Sequence, residues 1–105
     1  MPWELDSDRP IYAQIVDRLK HEIVSGFYPP GSRLPSVRDL AAQASVNPNT
    51  MQKAFTELER TGLIVTRRTS GRTVTEDTAL IEQVRSELAE LQISQFLTRM
   101  QHLGY

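Results

Sequence analysis

Residues 34–64 read LPSVRDLAAQASVNPNTMQKAFTELERTGLI, and this stretch predicts two helices joined by a tight turn. Ser36 and Asp39 have the spacing of a capping box, with Asp in place of the usual Glu or Gln, so the first helix should open at Ser36. It should run to about Ala44. Its small apolar face consists of Val37, Leu40, Ala41 and Ala44.

The second helix of this stretch has clear signals at both ends. Asn47 is a favoured N-cap, Pro48 suits the first helical position, and Gly62 is a typical helix stop. Apolar residues recur at i, i+3, i+4 and i+7, which is one face of a helix. They are Met51, Ala54, Phe55 and Leu58. This helix should therefore bury one side and expose the other.

A third helix is predicted upstream, over residues 10–25. Apolar residues recur there every four positions, Pro10 suits the first turn, and Gly26 suits the C-terminal cap. Residues 27–35 contain three prolines and a glycine, which is too broken a pattern for a helix.

Beyond Gly62, two short segments rich in Ile, Val and Thr predict a β-hairpin. They cover Leu63–Thr66 and Arg72–Thr75, with a Ser70-Gly71 turn signal in the connection. Three helices followed by a hairpin are the order of a winged helix-turn-helix. The expected fold is therefore mainly α with a small β-hairpin: a winged helix-turn-helix domain over residues 1–75 and a short helical tail over residues 76–105.

The tail predicts one long helix, from about Asp77 to Leu103, whose apolar side changes along its length. Its proximal face comprises Leu80, Ile81, Val84, Leu88 and Leu91. Its distal face, roughly 150° around the axis, comprises Ile93, Phe96, Leu97, Met100 and Leu103. We expect the proximal face to pack on the domain and the distal face to form the dimerisation surface with a second subunit. The alternative is a two-helix hairpin broken near residues 92–94.

Composition and charge narrow the class of protein. The chain has 105 residues, no cysteine, and hydrophobic (39%) and charged (24%) fractions typical of one small intracellular domain. The net charge is −1, but residues 33–72 carry seven basic and three acidic side chains, a local net of +4. Such a basic centre is typical of a phosphate-binding surface. Neither a membrane span nor a signal peptide over residues 1–6 is recognisable, so a cytoplasmic location without membrane contact is expected.

In a helix-turn-helix, the helix over residues 47–62 lies in the major groove and the preceding helix braces against the backbone. Its polar face should present Asn49, Thr50, Gln52, Lys53 and Thr56. Gln or Asn can bond an adenine edge twice, a Thr methyl group can touch thymine, and Lys reaches guanine or phosphate. The alternative is an ordinary solvated helix face.

Further DNA contacts are expected on both sides of this helix. Ser36 should both cap the bracing helix and bond phosphate. Arg38 should contact guanine or phosphate, unless it pairs with a carboxylate such as Asp39 or Asp17. Basic residues also flank the hairpin tip, where a wing lies along the minor groove; these are Arg67, Arg68 and Arg72. The alternative for them is a solubilising charge on an exposed strand edge.

Several ordered motifs across residues 9–75 resemble the GntR family of bacterial regulators. They are Pro10-Ile11-Tyr12-x-Gln14-Ile15, Leu34-Pro35-Ser36-Val37-Arg38-Asp39-Leu40-Ala41, Val46-Asn47-Pro48-Asn49-Thr50 and Leu58-Glu59-x-x-Gly62-Leu63-Ile64. The Asn-Pro-Asn-Thr sequence and the short tail are similar to its YtrA-like branch. The resemblance implies DNA binding, dimerisation through the C-terminal helices and, in most members, repression at a palindromic operator.

Carried over position by position, the resemblance implies DNA contacts at Ser36, Arg38, Asn49, Thr50, Gln52 and Lys53, with Gly71 at the wing tip. The full predicted DNA-binding set is Arg33, Ser36, Arg38, Asn49, Thr50, Gln52, Lys53, Arg68, Ser70, Gly71 and Arg72. The predicted function is that of a sequence-specific transcription regulator, a repressor that binds double-stranded DNA as a homodimer at an inverted repeat.

The chain departs from the family pattern at three places. The wing usually reads Gly-x-Gly-Thr-Phe-Val, but residues 69–74 keep only Gly71 and Val74, with Arg72 at the Thr position. Phe55 stands where Tyr is common, so a hydroxyl that could reach phosphate is absent. The chain ends at Tyr105, where this branch continues into a further helix, so either the protein is naturally short or part of its dimer surface is missing.

Other classes of protein have little support. His21 and His102 are isolated, and neither a nucleophile elbow nor a phosphate-cradling loop occurs, so we predict no enzyme, no metal site and no cofactor. A winged helix used as a protein-interaction module should show an apolar patch in place of the polar face. The tail is too short to enclose a ligand pocket of several hundred cubic ångström. An unidentified small-molecule effector, if one exists, should therefore bind at a dimer interface or between the two parts.

Overall fold

The computed structural model describes residues 3–105, so the first two residues of the predicted domain lie outside the described residues. Within residues 3–105 it has four helices and one hairpin in the predicted order. These are α1 (Ile11–Val24), α2 (Val37–Ala44), α3 (Pro48–Thr61), β1 (Ile64–Arg67), β2 (Gly71–Val74) and α4 (Thr78–His102). The predicted winged helix-turn-helix fold, mainly helical with a small sheet, is confirmed.

Local capping bonds set the ends of α2 and α3. The Asp39 amide donates a hydrogen bond to the Ser36 hydroxyl (3.0 Å), and the Asn49 amide donates one to the Asn47 side chain (2.7 Å). Ser45, with φ of 58°, closes the turn between the two helices in the left-handed region. Only half of the predicted capping box forms among the described residues, because the Asp39 side chain is one methylene shorter than Glu and makes no bond back to Ser36.

The core is a single cluster centred on α3. The predicted apolar face of α3 is completely buried, and it packs against α1 and α2. The largest fully buried side chains are Phe55, Ile15, Leu19, Ile23, Leu40, Met51, Leu58, Leu63, Ile64 and Val74. Because each such side chain contributes about 1.5–3 kcal/mol on burial, this cluster fixes the position of α3 in the domain.

The wing, residues 64–74, is an antiparallel hairpin with Ile64 opposite Val74 and Arg67 opposite Gly71. Each strand is shifted by one residue from its predicted range. The reason is the turn, which takes the three residues 68–70 and leaves Gly71 as the first residue of β2. Gly71 has φ of +74°, the left-handed conformation that closes three-residue hairpin loops.

A third extended segment, residues 31–34, pairs with the outer edge of β2. The Leu34 amide donates to the Arg72 carbonyl, and the Val74 amide donates to the Ser32 carbonyl, both at 2.9 Å. The sequence pattern gives no sign of this pairing, because the segment is short and flanked by prolines. It fastens the start of α2 to the wing.

Helix α4 is one continuous helix of 25 residues, so the alternative of a hairpin broken near residues 92–94 is wrong. The proximal face packs on the domain, as expected, and its partner there is α1; Ile81 and Val84 are buried in the core. The Arg85 guanidinium also donates two hydrogen bonds to the Val24 carbonyl at the end of α1 (3.1 and 2.8 Å). Ile81 and Val84 belong to the same core as the domain before residue 75. The division into a domain over residues 1–75 and a tail over residues 76–105 therefore stays a prediction.

One proximal residue departs from the predicted packing. Leu91 is 53% exposed, because Gln92 occupies the side of α4 that faces α1 and its amide lies 3.0 Å from His21 Nε2. Beyond this point the distal face is exposed in the single chain, apart from Met100, which is half-buried. None of the helices within residues 3–105 is long and apolar enough to cross a membrane.

Candidate nucleic-acid interface

The predicted polar face of α3 is an open surface. Asn49, Gln52, Lys53 and Thr56 are exposed, and Thr50 is half-exposed, on the side of the helix opposite its buried residues. At 1.5 Å per residue these side chains extend over about two helical turns. The sequence pattern therefore placed the base-reading candidates together correctly, since both faces follow from helical periodicity.

Gln52 is held lightly along the helix. Its side-chain amide donates to the Thr56 hydroxyl at 3.4 Å, while that hydroxyl donates to the Gln52 carbonyl at 3.0 Å. A bond of 3.4 Å is long for a hydrogen bond and therefore weak. The Gln52 amide can exchange it for a base edge at little cost.

Lys53 lies over an aromatic ring of α1. Its ammonium is 3.8 Å from the centre of the Tyr12 ring. Such a cation–π contact contributes about 0.5–1 kcal/mol at an exposed site, which restricts the directions that the long lysine side chain takes. Sequence reasoning missed the role of Tyr12, although this residue belongs to the Pro10-Ile11-Tyr12 motif.

A groove of about 500 Å³ lies between the wing and the start of α2. It is lined by Tyr28, Arg33, Leu34, Pro35, Ser36, Val37, Asp39, Gly71 and Arg72. Arg33 lies against the wing backbone, because the Arg33 Nε would be 3.8 Å from a Cβ placed on Gly71. The amide end of α2, the exposed Ser36 hydroxyl and Arg33 together make the groove suited to an anion such as a phosphate.

Tyr28 is a groove residue that sequence reasoning missed. Burial raises the pKa of its phenol, the nearby Glu22 carboxylate raises it further, and Arg18 opposes the shift. A phenol is already protonated at neutral pH, and the raised pKa moves its ionisation further from that range, so the Tyr28 hydroxyl keeps its capacity to donate a hydrogen bond. Burial also raises the pKa of the Glu22 carboxyl, which Arg18 partly offsets.

Arg38 is exposed on α2 and is not held by a carboxylate in residues 3–105. The ion pair with Asp39 or Asp17, which the sequence left open, does not form; Asp17 instead pairs with Arg9 at 3.4 Å. The guanidinium of Arg38 is therefore free to bond guanine or phosphate.

The basic residues of the wing fall into two groups. Arg67 and Arg68 are exposed near the tip, with Ser70 half-exposed beside them. Arg72 instead lies on the side facing α3: its Nε donates to the Glu59 carboxylate at 2.6 Å, and its guanidinium lies 5.3 Å from the centre of the Phe55 ring. A direct DNA contact by Arg72 stays a prediction. Sequence reasoning missed Glu59 as its partner, although Glu59 belongs to the Leu58-Glu59-x-x-Gly62 motif.

No group of His, Asp and Glu side chains that could hold a metal ion occurs in the part of the chain that the structure describes. His21 Nδ1 lies 2.8 Å from the Asp17 carbonyl, and its Nε2 contacts Gln92. This histidine is engaged in the contact between α1 and α4, away from the polar face of α3.

Comparisons with known proteins identify the family of this chain. A family model described as bacterial regulatory proteins, gntR family, matches residues 11–74. The HTH-type transcriptional repressor YtrA of Bacillus subtilis (strain 168) is 40% identical over 100 residues, which are 93% of this chain and 76% of the relative.

Solved structures show the same likeness. A GntR family transcriptional regulator from Listeria monocytogenes has a TM-score of 0.87 and 44% identity, covering 95% of this chain and 88% of that chain. AraR(DBD) in complex with operator ORX1 has a TM-score of 0.60 and 26% identity, covering 71% of this chain and 92% of that chain. The names of YtrA and of the Listeria protein are those of transcription regulators, in agreement with the class that the sequence predicts.

Proposed function

Because this chain belongs to the GntR family of bacterial regulatory proteins and is a DNA-binding transcription regulator, we propose that it acts as a homodimeric repressor at an inverted-repeat operator. The observation that carries the proposal is the open polar face of α3, flanked by the groove at the start of α2 and by the wing. The name of the relative YtrA supports repression. The proposed target of this chain is double-stranded DNA. In a bacterium the DNA lies in the cytoplasm, so we expect the protein to act there.

In the proposed complex the polar face of α3 enters the major groove. Asn49, Thr50, Gln52 and Lys53 read base edges there. Ser36, the N-cap of α2, and Arg38 bond the flanking phosphates or a guanine. Arg33 and Gly71 line the groove where a phosphate would sit, and Arg68 and Ser70 follow the backbone from the wing tip.

The distal face of α4 supports the dimer. Soluble monomers rarely expose large contiguous apolar patches, and here several large apolar side chains lie on one side of a helix that extends beyond the core. Pairing of this face with its copy would bury it around a two-fold axis. The two α3 helices would then meet successive major grooves.

Selection of bound fragments from random DNA tests this proposal. The expected result is an inverted repeat whose half-sites are about one helical turn apart. Sedimentation should show a dimer, both free and on the selected DNA. A monomer that binds one half-site at full affinity would rule out the dimeric mode of action.

Arg38→Ala and Gln52→Ala should each weaken operator binding by about 1–3 kcal/mol, because each removes a candidate base contact. Titration of the selected operator and of point-substituted operators measures this loss. Gln83→Ala, an exposed glutamine of α4, is the matched control and should leave affinity unchanged. An equal loss on operator and random DNA for Gln52→Ala would contradict base reading by this residue.

Arg68→Ala should weaken binding to operator and to random DNA alike, because the wing tip contacts the phosphate backbone. The dependence of log affinity on log salt should flatten by about one unit, the value for one lost phosphate contact. Affinities measured over a salt series provide the test. A relaxed preference at a single base pair would instead show that Arg68 reads sequence.

A further inference from the structure

We propose that Glu59 is a positioning residue that fixes the wing to α3 by holding Arg72 and Thr66, and this inference rests on the proposed DNA binding. The Arg72 Nε donates to one Glu59 oxygen (2.6 Å), and the Thr66 hydroxyl donates to the other (3.1 Å). Thr66 and Arg72 are directly opposite each other in the hairpin register. A single carboxylate of α3 therefore binds both strands of the wing at the same level.

The place of this bond along the wing explains its effect. At the inner end of the hairpin, Ile64 and Val74 are buried in the core and need no further anchor. At the outer end, the turn over residues 68–70 carries Arg68, the arginine at the tip of the wing. The Glu59 bonds lie between the two ends, so they decide whether the outer half stays at a fixed angle to α3.

The surroundings shield the arginine of this ion pair from water more than the arginine of an ordinary surface pair. The Arg72 and Glu59 side chains are 27% and 32% exposed, whereas Arg60 of the Arg60–Glu57 pair on the same helix is 72% exposed. Exposed pairs contribute little because water and salt screen them. The guanidinium of Arg72 also lies over the buried Phe55 ring, which shields one side of it.

Two of the departures from the family pattern meet in this contact. Phe55 stands in place of Tyr and Arg72 in place of Thr, and their side chains lie against each other. The altered wing sequence is therefore not a loss of wing structure. It supplies an ion pair that orders the wing before DNA arrives, which lowers the entropy lost on binding.

The direction in which Glu59→Gln changes affinity separates a positioning role of Glu59 from a purely electrostatic effect of its charge. Glu59→Gln removes a negative charge near DNA, so electrostatics alone should strengthen binding. Positioning requires the opposite: Glu59→Gln should weaken operator binding about tenfold, a typical size for coupling between two sites. Glu57→Gln, on the same helix, is the matched control and should leave affinity unchanged or slightly higher.

The second measurement uses the wing tip as a reporter. In the wild-type chain, Arg68→Ala should flatten the dependence of log affinity on log salt by about one unit. In the Glu59→Gln chain, the same substitution should flatten this dependence by less than about half a unit. The double variant Glu59→Arg with Arg72→Glu exchanges the two partners, and it should bind the operator more tightly than either single variant. Thermal melts of each variant verify that the protein is folded at the temperature of the titration.

Three results would overturn the proposal. Stronger or unchanged binding by Glu59→Gln shows that the pair does not position the wing. A loss for Arg72→Ala but not for Glu59→Gln makes Arg72 a direct phosphate contact. If Glu59→Gln does not fold, Thr66→Val is used instead, because it removes one of the two bonds to Glu59. If Arg68→Ala then changes the salt dependence as much in the Thr66→Val chain as in the wild-type chain, Glu59 does not position the wing. A wild-type chain that binds no DNA refutes the proposed function instead.

Discussion

Replacing Leu97 and Met100 together by Glu should give a folded monomer that has lost tight operator binding. Both residues lie on the distal face of α4, where Leu97 is 54% exposed and Met100 half-buried in the single chain. Two unpaired charges cost little there in a monomer, but they are expensive inside an apolar interface. Without the dimer, a single α3 holds one half-site, and affinity should fall about 1,000-fold or more, toward non-specific binding.

Sedimentation, circular dichroism and operator titration together test this result. Gln95→Glu places a charge on the opposite side of the same helix and should remain dimeric. Val84→Glu should behave differently, because Val84 is buried against the domain and a charge there destabilises the fold or detaches α4; Leu88→Glu should do the same. A double mutant that stays dimeric would place the partner surface elsewhere. One that unfolds would show that the distal face packs within its own chain.

Phe55→Ala should cost about 3–5 kcal/mol of unfolding free energy, because it removes a fully buried aromatic ring from the centre of α3. That is a large share of the ~5–15 kcal/mol that stabilises a small domain. The melting temperature should fall by roughly 12–40 °C, at ~4–8 °C for each kcal/mol. The Arg72 guanidinium would also lose the ring beneath it, which weakens the wing contact.

Denaturant titration and thermal melts measure this loss. Thr56→Ala, the next residue along α3, is the control; its side chain is exposed, so stability should change by less than about 0.5 kcal/mol. A loss below about 1 kcal/mol for Phe55→Ala would mean that the surrounding side chains collapse into the space. The core would then be less tightly packed around α3 than its complete burial indicates.

The helices and their two-sided character could be predicted because the signals are local. Ser36, Asn47 and Gly62 act on backbone groups within a few residues of themselves, so their spacing alone determines where α2 and α3 begin and end. The buried face of α3, and with it the exposed polar face, follows from a period of 3.6 residues. For the same reason the switch of apolar face in α4 follows from the order of its residues alone.

Features that depend on distant parts of the chain were not predictable in this way. The turn length that shifted both strands by one residue depends on the conformation of Gly71, and the pairing of residues 31–34 with β2 joins segments about forty residues apart. The continuity of α4 was also open, because its periodicity allowed a break near residue 92.

By itself, the sequence determined which residues form the polar face of α3, because helical periodicity separates an apolar from a polar face without reference to anything else. It also identified the arginines of α2 and of the wing as further candidates. Only the tertiary structure decided how those residues are held. It set Lys53 over Tyr12, left Arg38 without a carboxylate partner within residues 3–105, and turned Arg72 away from the wing tip toward Glu59. The physical reason is that a long, flexible charged side chain chooses among several partners of similar energy, and the packing of distant segments determines which partner is within reach.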